Sequence, residues 1–217
     1  MSNRSIHTLL KNWDEECPLT REEAVEVLNL PEEEMDSLME CAYALRTKYK
    51  GKKVSVQLLT NVRSGNCTQN CAYCAQSKDS QAEIEKYKRV SDEKLYGDND
   101  LVDEKHLARH CIGLSGIGFS DEEIEDLADR IREMKKKDTQ ICCSIGFLTE
   151  KQARILKDAG LDRINHNLNS SRSFYPEICT THTYDQRVNN IKMLQSLGFE
   201  ICSGGIVGMG ESKEDVV

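Results

Sequence analysis

The chain has 217 residues, with 29 basic against 37 acidic side chains and a net charge of −8. That acidic balance argues against a nucleic-acid or anionic-membrane partner, whose phosphates would be repelled. No apolar run approaches the roughly 20 residues needed to cross a bilayer, and the opening stretch MSNRSIHTLLKNWDEE lacks the pattern of a secretory signal. A cytoplasmic globular protein is expected, so its ten cysteines should be thiols or metal ligands rather than disulfides.

The first 50 residues read as a helical segment. Thr20 and Glu23 have capping-box spacing, followed by Ala24, Val25 and Leu28 at helical intervals. Pro31 punctuates the segment. Met35, Leu38, Met39, Ala42 and Leu45 form a second apolar stripe, and Cys17 and Cys41, in the same helical segment, read as structural. Residues 51–217 read as a second region. Val54–Thr60 has the pattern of a buried strand, and a cysteine-rich loop follows at 65–77. Residues 78–106 are highly charged with a Gly97-Asp-Asn-Asp breaker cluster, which predicts a solvated helix and loop.

Beyond residue 108, strands and helices alternate. Strands are predicted at Arg109–Leu114, Gln140–Ile145, Leu161–Asn165 and Phe199–Ser203. The helices between them start at capping pairs Ser120/Glu123, Thr149/Gln152 and Thr183/Gln186. Gly160 and Gly198 close the last two, and a further helix starts after Glu211. Successive βα units predict an α/β fold with about five parallel strands and covering helices. Counting strands alone leaves a doubly wound sheet and part of a (β/α)8 barrel both open.

The sequence Cys67-Thr-Gln-Asn-Cys71-Ala-Tyr-Cys74 is C-x3-C-x2-C, at the end of a predicted strand. Three thiolates can hold three irons of a cubane cluster and leave the fourth free for a small ligand. A structural zinc takes four ligands, and no fourth Cys or His lies at a finger-like distance. This spacing resembles the signature of the radical S-adenosylmethionine (SAM) family, and Tyr73 strengthens the likeness. The resemblance implies a TIM-type barrel and a [4Fe-4S] cluster on Cys67, Cys71 and Cys74. It also implies that the open iron chelates SAM, which one electron cleaves to methionine and a 5′-deoxyadenosyl radical.

Cys111, Cys142 and Cys202 each fall in a predicted strand. Taken alone they read as buried apolar cysteines. Residues 20–217 as a whole resemble the biotin synthase family, on the segments NVRSGNCTQNCAYCAQS at 61–77, HCIG at 110–113, ICCSIG at 141–146, AGLDRINHNLNSS at 159–171, THTYDQR at 181–187 and EICSGGIVGMGES at 200–212. The resemblance implies that Cys111, Cys142 and Cys202 hold an auxiliary iron–sulfur cluster, [2Fe-2S] or a four-iron type, which donates sulfur to dethiobiotin. It implies that Asn165 and Asn167 line the SAM and dethiobiotin sites, that Tyr73 lies near the adenine, and that Arg187 lies near the SAM carboxylate. Asn169 stands where the family usually has an aspartate on the ribose hydroxyls; its amide can hydrogen-bond but carries no charge.

An external electron donor such as flavodoxin or ferredoxin, and a homodimer when complete, are implied as well. The family barrel has eight strands, so a truncation after the fifth is expected, with activity of the remaining chain in question. Another radical SAM enzyme of the same subgroup and a non-catalytic cluster-binding fragment are the rival expectations. Cys143, beside Cys142, should face the opposite side of its strand. Cys179 could face the site. His166 reads as structural, and His106, His110 and His182 form no recognisable metal set. Gly204, Gly205, Gly208 and Gly210 lack a dinucleotide spacing and read as close backbone approach at a strand end.

Overall fold

The computed structural model describes residues 19–217. Its apolar segments pair into one parallel sheet of β1 (Gln57–Arg63), β2 (Arg109–Leu114), β3 (Ile141–Ser144), β4 (Arg163–Asn165) and β5 (Glu200–Cys202). The strands lie side by side in chain order. A doubly wound sheet reverses its order at a switch point, whereas sequential order is that of a (β/α) barrel wall. The partial-barrel alternative is therefore the one adopted.

Contacts divide the chain into two units. In the first, residues 19–54 with 211–217, helices α1 (Arg21–Leu28) and α2 (Met35–Lys50) flank a 3₁₀ turn at Glu32–Glu34. The Thr20/Glu23 capping box is formed. Cys41 is half-buried on α2, and Cys17 lies outside the described residues.

The second unit, residues 55–210, carries the sheet. Helix α3 (Asp92–Glu104) links β1 to β2, α4 (Asp121–Met134) links β2 to β3, and α5 (Glu150–Asp158) links β3 to β4. A short α6 (Tyr175–Ile178) and α7 (Tyr184–Ser196) precede β5, and α8 (Lys213–Val216) belongs to the first unit. All three predicted capping boxes open α4, α5 and α7. Gly160 and Gly198 follow α5 and α7 with φ of 96° and 78°, the left-handed conformation that ends a helix at little cost to glycine.

Strand register sorts the side chains into two faces. Thr60, Ile112, Cys143, Ile164 and Ile201 are register partners across the sheet. This row packs under the helices with Ile124, Ile131, Leu156 and Leu194. Cys143 is 0% exposed there, on the face opposite Cys142, as strand alternation requires. The other face carries Leu59, Cys111, Cys142, Arg163 and Glu200 in one row, and Asn61, Gly113, Ser144, Asn165 and Cys202 in the next.

Two local readings need correction. The first strand starts at Gln57 rather than Val54, and Val54 and Val56 are exposed. Its ladder begins where Gln57 meets Arg109. The Gly97–Asp100 cluster lies inside α3 instead of breaking it. Ser91 caps that helix, and its inner face buries Leu95 and Val102. Asp98 and Asn99 are buried as well, bonded to Thr60 and His110, so the charged segment is only half solvated.

Candidate metal and cofactor centre

The three-cysteine loop leaves the C-terminal end of β1, where barrel enzymes place their sites. Its backbone is held at several points. Gly65 N–H donates to Gln76 Oε1 (2.7 Å), Ser115 Oγ donates to the Gly65 carbonyl (2.6 Å), and Ala72 N–H donates to the Ile178 carbonyl (2.9 Å). Asn70 adds a clamp: its Oδ1 accepts from the N–H groups of Thr180 (3.1 Å) and Thr181 (3.3 Å), and its Nδ2 donates to Thr180 Oγ1 (2.7 Å).

Cys67, Cys71, Cys74 and Tyr73 line one cavity of about 230 Å³ together with Asn165, Asn167, Asn169 and Arg187. The loop after β1, the segment after β4 and helix α7 thus bring the expected residues to one place. Cys71 is buried; burial first, and the neighbouring Cys179 second, push its thiol up to about 11. Burial also raises Tyr73 above its ordinary value, against the pull of Arg187.

Arg187 Nε donates to Tyr175 Oη (2.6 Å), Nη1 to the Asn167 carbonyl (3.1 Å), and Nη2 to His182 Nε2 (2.9 Å). One N–H on each terminal nitrogen is left for an anion in the cavity. Among the described residues no partner takes the side-chain amides of Asn165 or Asn167, which line the same space. Asn169 differs. It is 4% exposed with φ of 70°, and its Nδ2 donates to Tyr73 Oη (2.6 Å) and the Asn167 carbonyl (3.3 Å). Its donor group is spent on the protein, leaving Oδ1 for a ligand.

The donor set suits a polynuclear group better than one ion. Among the described residues, the trio whose donor atoms lie within 4.8 Å of one another is Cys71, Cys179 and His182, not the three loop thiols. Thiols spread around a cavity match a cluster that takes one thiolate per iron. The amides and the free guanidinium N–H groups match the amine, carboxylate and hydroxyl groups of SAM.

Sequence reasoning missed the supporting residues Gln69, Asn70, Tyr175 and His182. His182 is buried, with Nδ1 3.3 Å from Cys179 Sγ and 3.0 Å from Gln69 Oε1. Burial, then the charge of Arg187, lowers it to about 4, so the ring is neutral. His182 therefore does belong to a metal-capable group, contrary to the expectation, and Cys179 is buried against Cys71, 3.7 Å from its sulfur, without lining the cavity. His166 is buried edge-on to Phe147.

The strand cysteines share the face away from the helices. Cys111 and Cys142 are register partners on β2 and β3, and Cys202 on β5 stands level with Asn165. A hydrogen bond from Cys142 pulls Cys111 down to about 7, helped by Arg109 and Arg163, while the same contact and burial push Cys142 up. Arg163, bonded to Glu200 (2.9 Å), adds positive charge beside Cys142 and Cys202. Neighbouring thiolates under cationic cover suit an anionic iron–sulfur group. Ser144 and Asn165, in the row of Cys202, also line the first cavity, and Cys111 and Cys142 lie one row further from the strands' C-terminal ends.

This partial (β/α) barrel with C-x3-C-x2-C after its first strand is of a defined class. Residues 61–217 match the Radical SAM superfamily, and the chain belongs to it. The more particular likeness is to biotin synthases. The chain is 41% identical over 200 residues to those of Geobacillus kaustophilus (strain HTA426) and Bacillus subtilis (strain 168), covering 92% of this chain and 60% of each relative. It thus spans about 60% of the length of these curated relatives.

Among solved structures, methylornithine synthase superposes with a TM-score of 0.82 at 17% identity, covering 95% of this chain and 60% of the other. The [FeFe]-hydrogenase maturase of Carboxydothermus hydrogenoformans gives 0.77 at 21%, covering 91% and 47%. At such identities these speak for the fold. No helix among the described residues is long and apolar enough to cross a membrane.

Proposed function

We propose that the chain serves biotin synthase-type chemistry, the radical SAM insertion of sulfur that converts dethiobiotin to biotin. The observation that carries this reading is the cavity that the loop thiols Cys67, Cys71 and Cys74 share with Ser144 and Asn165 of the open sheet face, with Cys202 in the row of those two residues and the pair Cys111 and Cys142 one row further on. The identity to biotin synthases along 92% of the chain supports the same substrate.

In this reading Cys67, Cys71 and Cys74 hold a [4Fe-4S] cluster, and Cys111, Cys142 and Cys202 hold an auxiliary one, [2Fe-2S] or four-iron. When bound, these groups supply the electron that cleaves SAM to a 5′-deoxyadenosyl radical and the sulfur that the substrate takes up. The residues of the chain do the rest. Arg187 binds the SAM carboxylate through its free N–H groups. Asn165 and Asn167 offer donors and acceptors to SAM and dethiobiotin. Tyr73, fixed by Asn169, packs beside the adenine. Asn70 and the 178–182 segment hold the cluster loop rigid. Flavodoxin or ferredoxin delivers electrons, and the complete protein is a homodimer.

The test is anaerobic reconstitution with iron and sulfide, then SAM, reductant and dethiobiotin, with 5′-deoxyadenosine and biotin read by mass spectrometry. Deoxyadenosine above a no-protein control, lost in Cys71→Ala, is expected. Persistent deoxyadenosine in Cys71→Ala refutes the assignment of the loop. Biotin formation that is unchanged in Cys202→Ala refutes the auxiliary set.

A further inference from the structure

We propose that Cys71, Cys179 and His182 form, in the cluster-free chain, a site for one divalent cation of the zinc–ferrous class. All three side chains are buried, and their donor atoms lie within 4.8 Å of one another. The separations suit a shared metal. For tetrahedral zinc with Zn–S of about 2.3 Å and Zn–N of about 2.05 Å, two ligand sulfurs lie about 3.8 Å apart and a sulfur–nitrogen pair about 3.6 Å apart. Cys71 Sγ and Cys179 Sγ are 3.7 Å apart, and Cys179 Sγ is 3.3 Å from His182 Nδ1.

Donor chemistry and charge agree with the geometry. Two thiolates and an imidazole are a borderline-soft set, suited to Zn²⁺ or Fe²⁺ rather than Mg²⁺ or Ca²⁺. Uptake of the dication releases the two thiol protons, so the buried unit of metal and thiolates carries no net charge. Gln69 Oε1, 3.0 Å from His182 Nδ1, or water supplies the fourth position.

One rearrangement is required. Arg187 now donates to His182 Nε2, which places the ring proton on Nδ1, facing Gln69. Metal on Nδ1 moves that proton to Nε2, where Tyr175 Oη is 3.0 Å away and accepts it. Arg187 gives up the ring and keeps its bonds to Tyr175 and Asn167.

The sequence places this site in competition with the cubane, because both use Cys71; that part rests on the function proposed above, while the site itself does not. A single ion on Cys71 leaves the loop with two thiols for a cluster that needs three. The chain therefore holds either one ion or the cluster, and iron bound here stands beside the loop that receives the rest.

Cluster-free, thiol-reduced protein is titrated anaerobically with Zn²⁺ against a chromophoric chelator, in the Cys142→Ala background to silence the strand cysteines. One tight equivalent is expected. Cys179→Ser and His182→Asn should each weaken it beyond the about 10–100-fold that loss of an outer-shell partner costs, with unchanged circular dichroism. Cys67→Ala should leave it in place. Equal zinc affinity in Cys179→Ser, or loss of zinc in Cys67→Ala, overturns the proposal.

X-ray absorption at the zinc edge needs no further variant. Two sulfurs with nitrogen or oxygen neighbours are expected, and three or four sulfurs overturn the site. Finally, one equivalent of Zn²⁺ should delay cubane absorbance on adding iron and sulfide to the Cys142→Ala protein, but not when Cys179→Ser is added. If cubane absorbance never forms even without zinc, the cubane assignment fails while the zinc titration still decides the site.

Discussion

Arg187 is the residue whose replacement tests ligand binding most directly, because it lines the cavity with N–H groups to spare. Its guanidinium has five N–H groups, of which one goes to Tyr175, one to the Asn167 carbonyl and one to His182. The other two are what a SAM carboxylate can take. A hydrogen bond to a charged group contributes about 1.5–3 kcal/mol, and 1.4 kcal/mol is a factor of ten, so Arg187→Met should weaken SAM binding by about 10- to 150-fold. The same change removes the Arg187 bonds to Tyr175 Oη and to the Asn167 carbonyl, which keeps Asn169 Nδ2 at 3.3 Å. That costs about 1–3 kcal/mol of stability, a drop of several degrees in Tm for a chain of this size. Arg187→Lys keeps the charge but loses the planar fork, so its SAM affinity should fall between the two. The assay is equilibrium binding of SAM to protein matched for cubane absorbance, with thermal unfolding beside it. A SAM affinity unchanged in Arg187→Met, at equal cubane content, refutes the carboxylate role.

Three further outcomes test other parts of the argument. Cys143→Ser should lower stability by about 1–3 kcal/mol, because a hydroxyl replaces a thiol in a wholly apolar setting, yet leave iron content unchanged; a loss of iron would make Cys143 a ligand. Asp98 is buried, but its bonds to Lys94 (2.6 Å) and Thr60 (2.6 Å) outweigh that burial and hold its carboxyl below the ordinary range. Asp98→Asn should therefore cost about 1–3 kcal/mol at neutral pH, and the gap to the native chain should close as pH falls through the lowered folded pKa; a gap that stays constant into acid refutes the ion-pair account. Gly146→Ala should perturb the cavity wall, since a Cβ there would stand 2.4 Å from the Ile117 carbonyl oxygen, and weakened SAM binding by that variant is the expected readout.

Much of the fold was legible because it depends on local chemistry. The capping pairs at Ser120, Thr149 and Thr183 and the glycines at 160 and 198 act within a few residues, so they mark helix ends directly. Strand alternation likewise placed Cys142 and Cys143 on opposite faces. Helix α3 was obscured because its stabilisation is tertiary: Asp98 and Asn99 look like breakers until Thr60, His110 and the Met134 carbonyl are brought beside them. His182 was obscured for a similar reason. Its partners Gln69 and Cys71 come from the distant cysteine loop, and no spacing within THTYDQR announces them.

The two thiol sets differ in what encloses them, and the difference has consequences for how each takes up iron. Cys71 is buried beneath Ile178, Cys179 and Tyr175, and everything that fixes its loop comes from residues 65–182. Cys111 and Cys202 are only half-buried, on a face where Leu59 is 68% exposed. Thiolate character and access together set cysteine reactivity. Cys111, pulled down to about 7, should thus be alkylated at neutral pH well before Cys71, whose thiol is held near 11 and out of reach. Brief treatment of the cluster-free chain with iodoacetamide, read by peptide mass spectrometry, should modify Cys111 first and leave the loop able to bind its cluster. Faster labelling of Cys71 than of Cys111 would show that the 178–182 segment does not cover the loop in solution, and the enclosed geometry derived for the first site would fall with it.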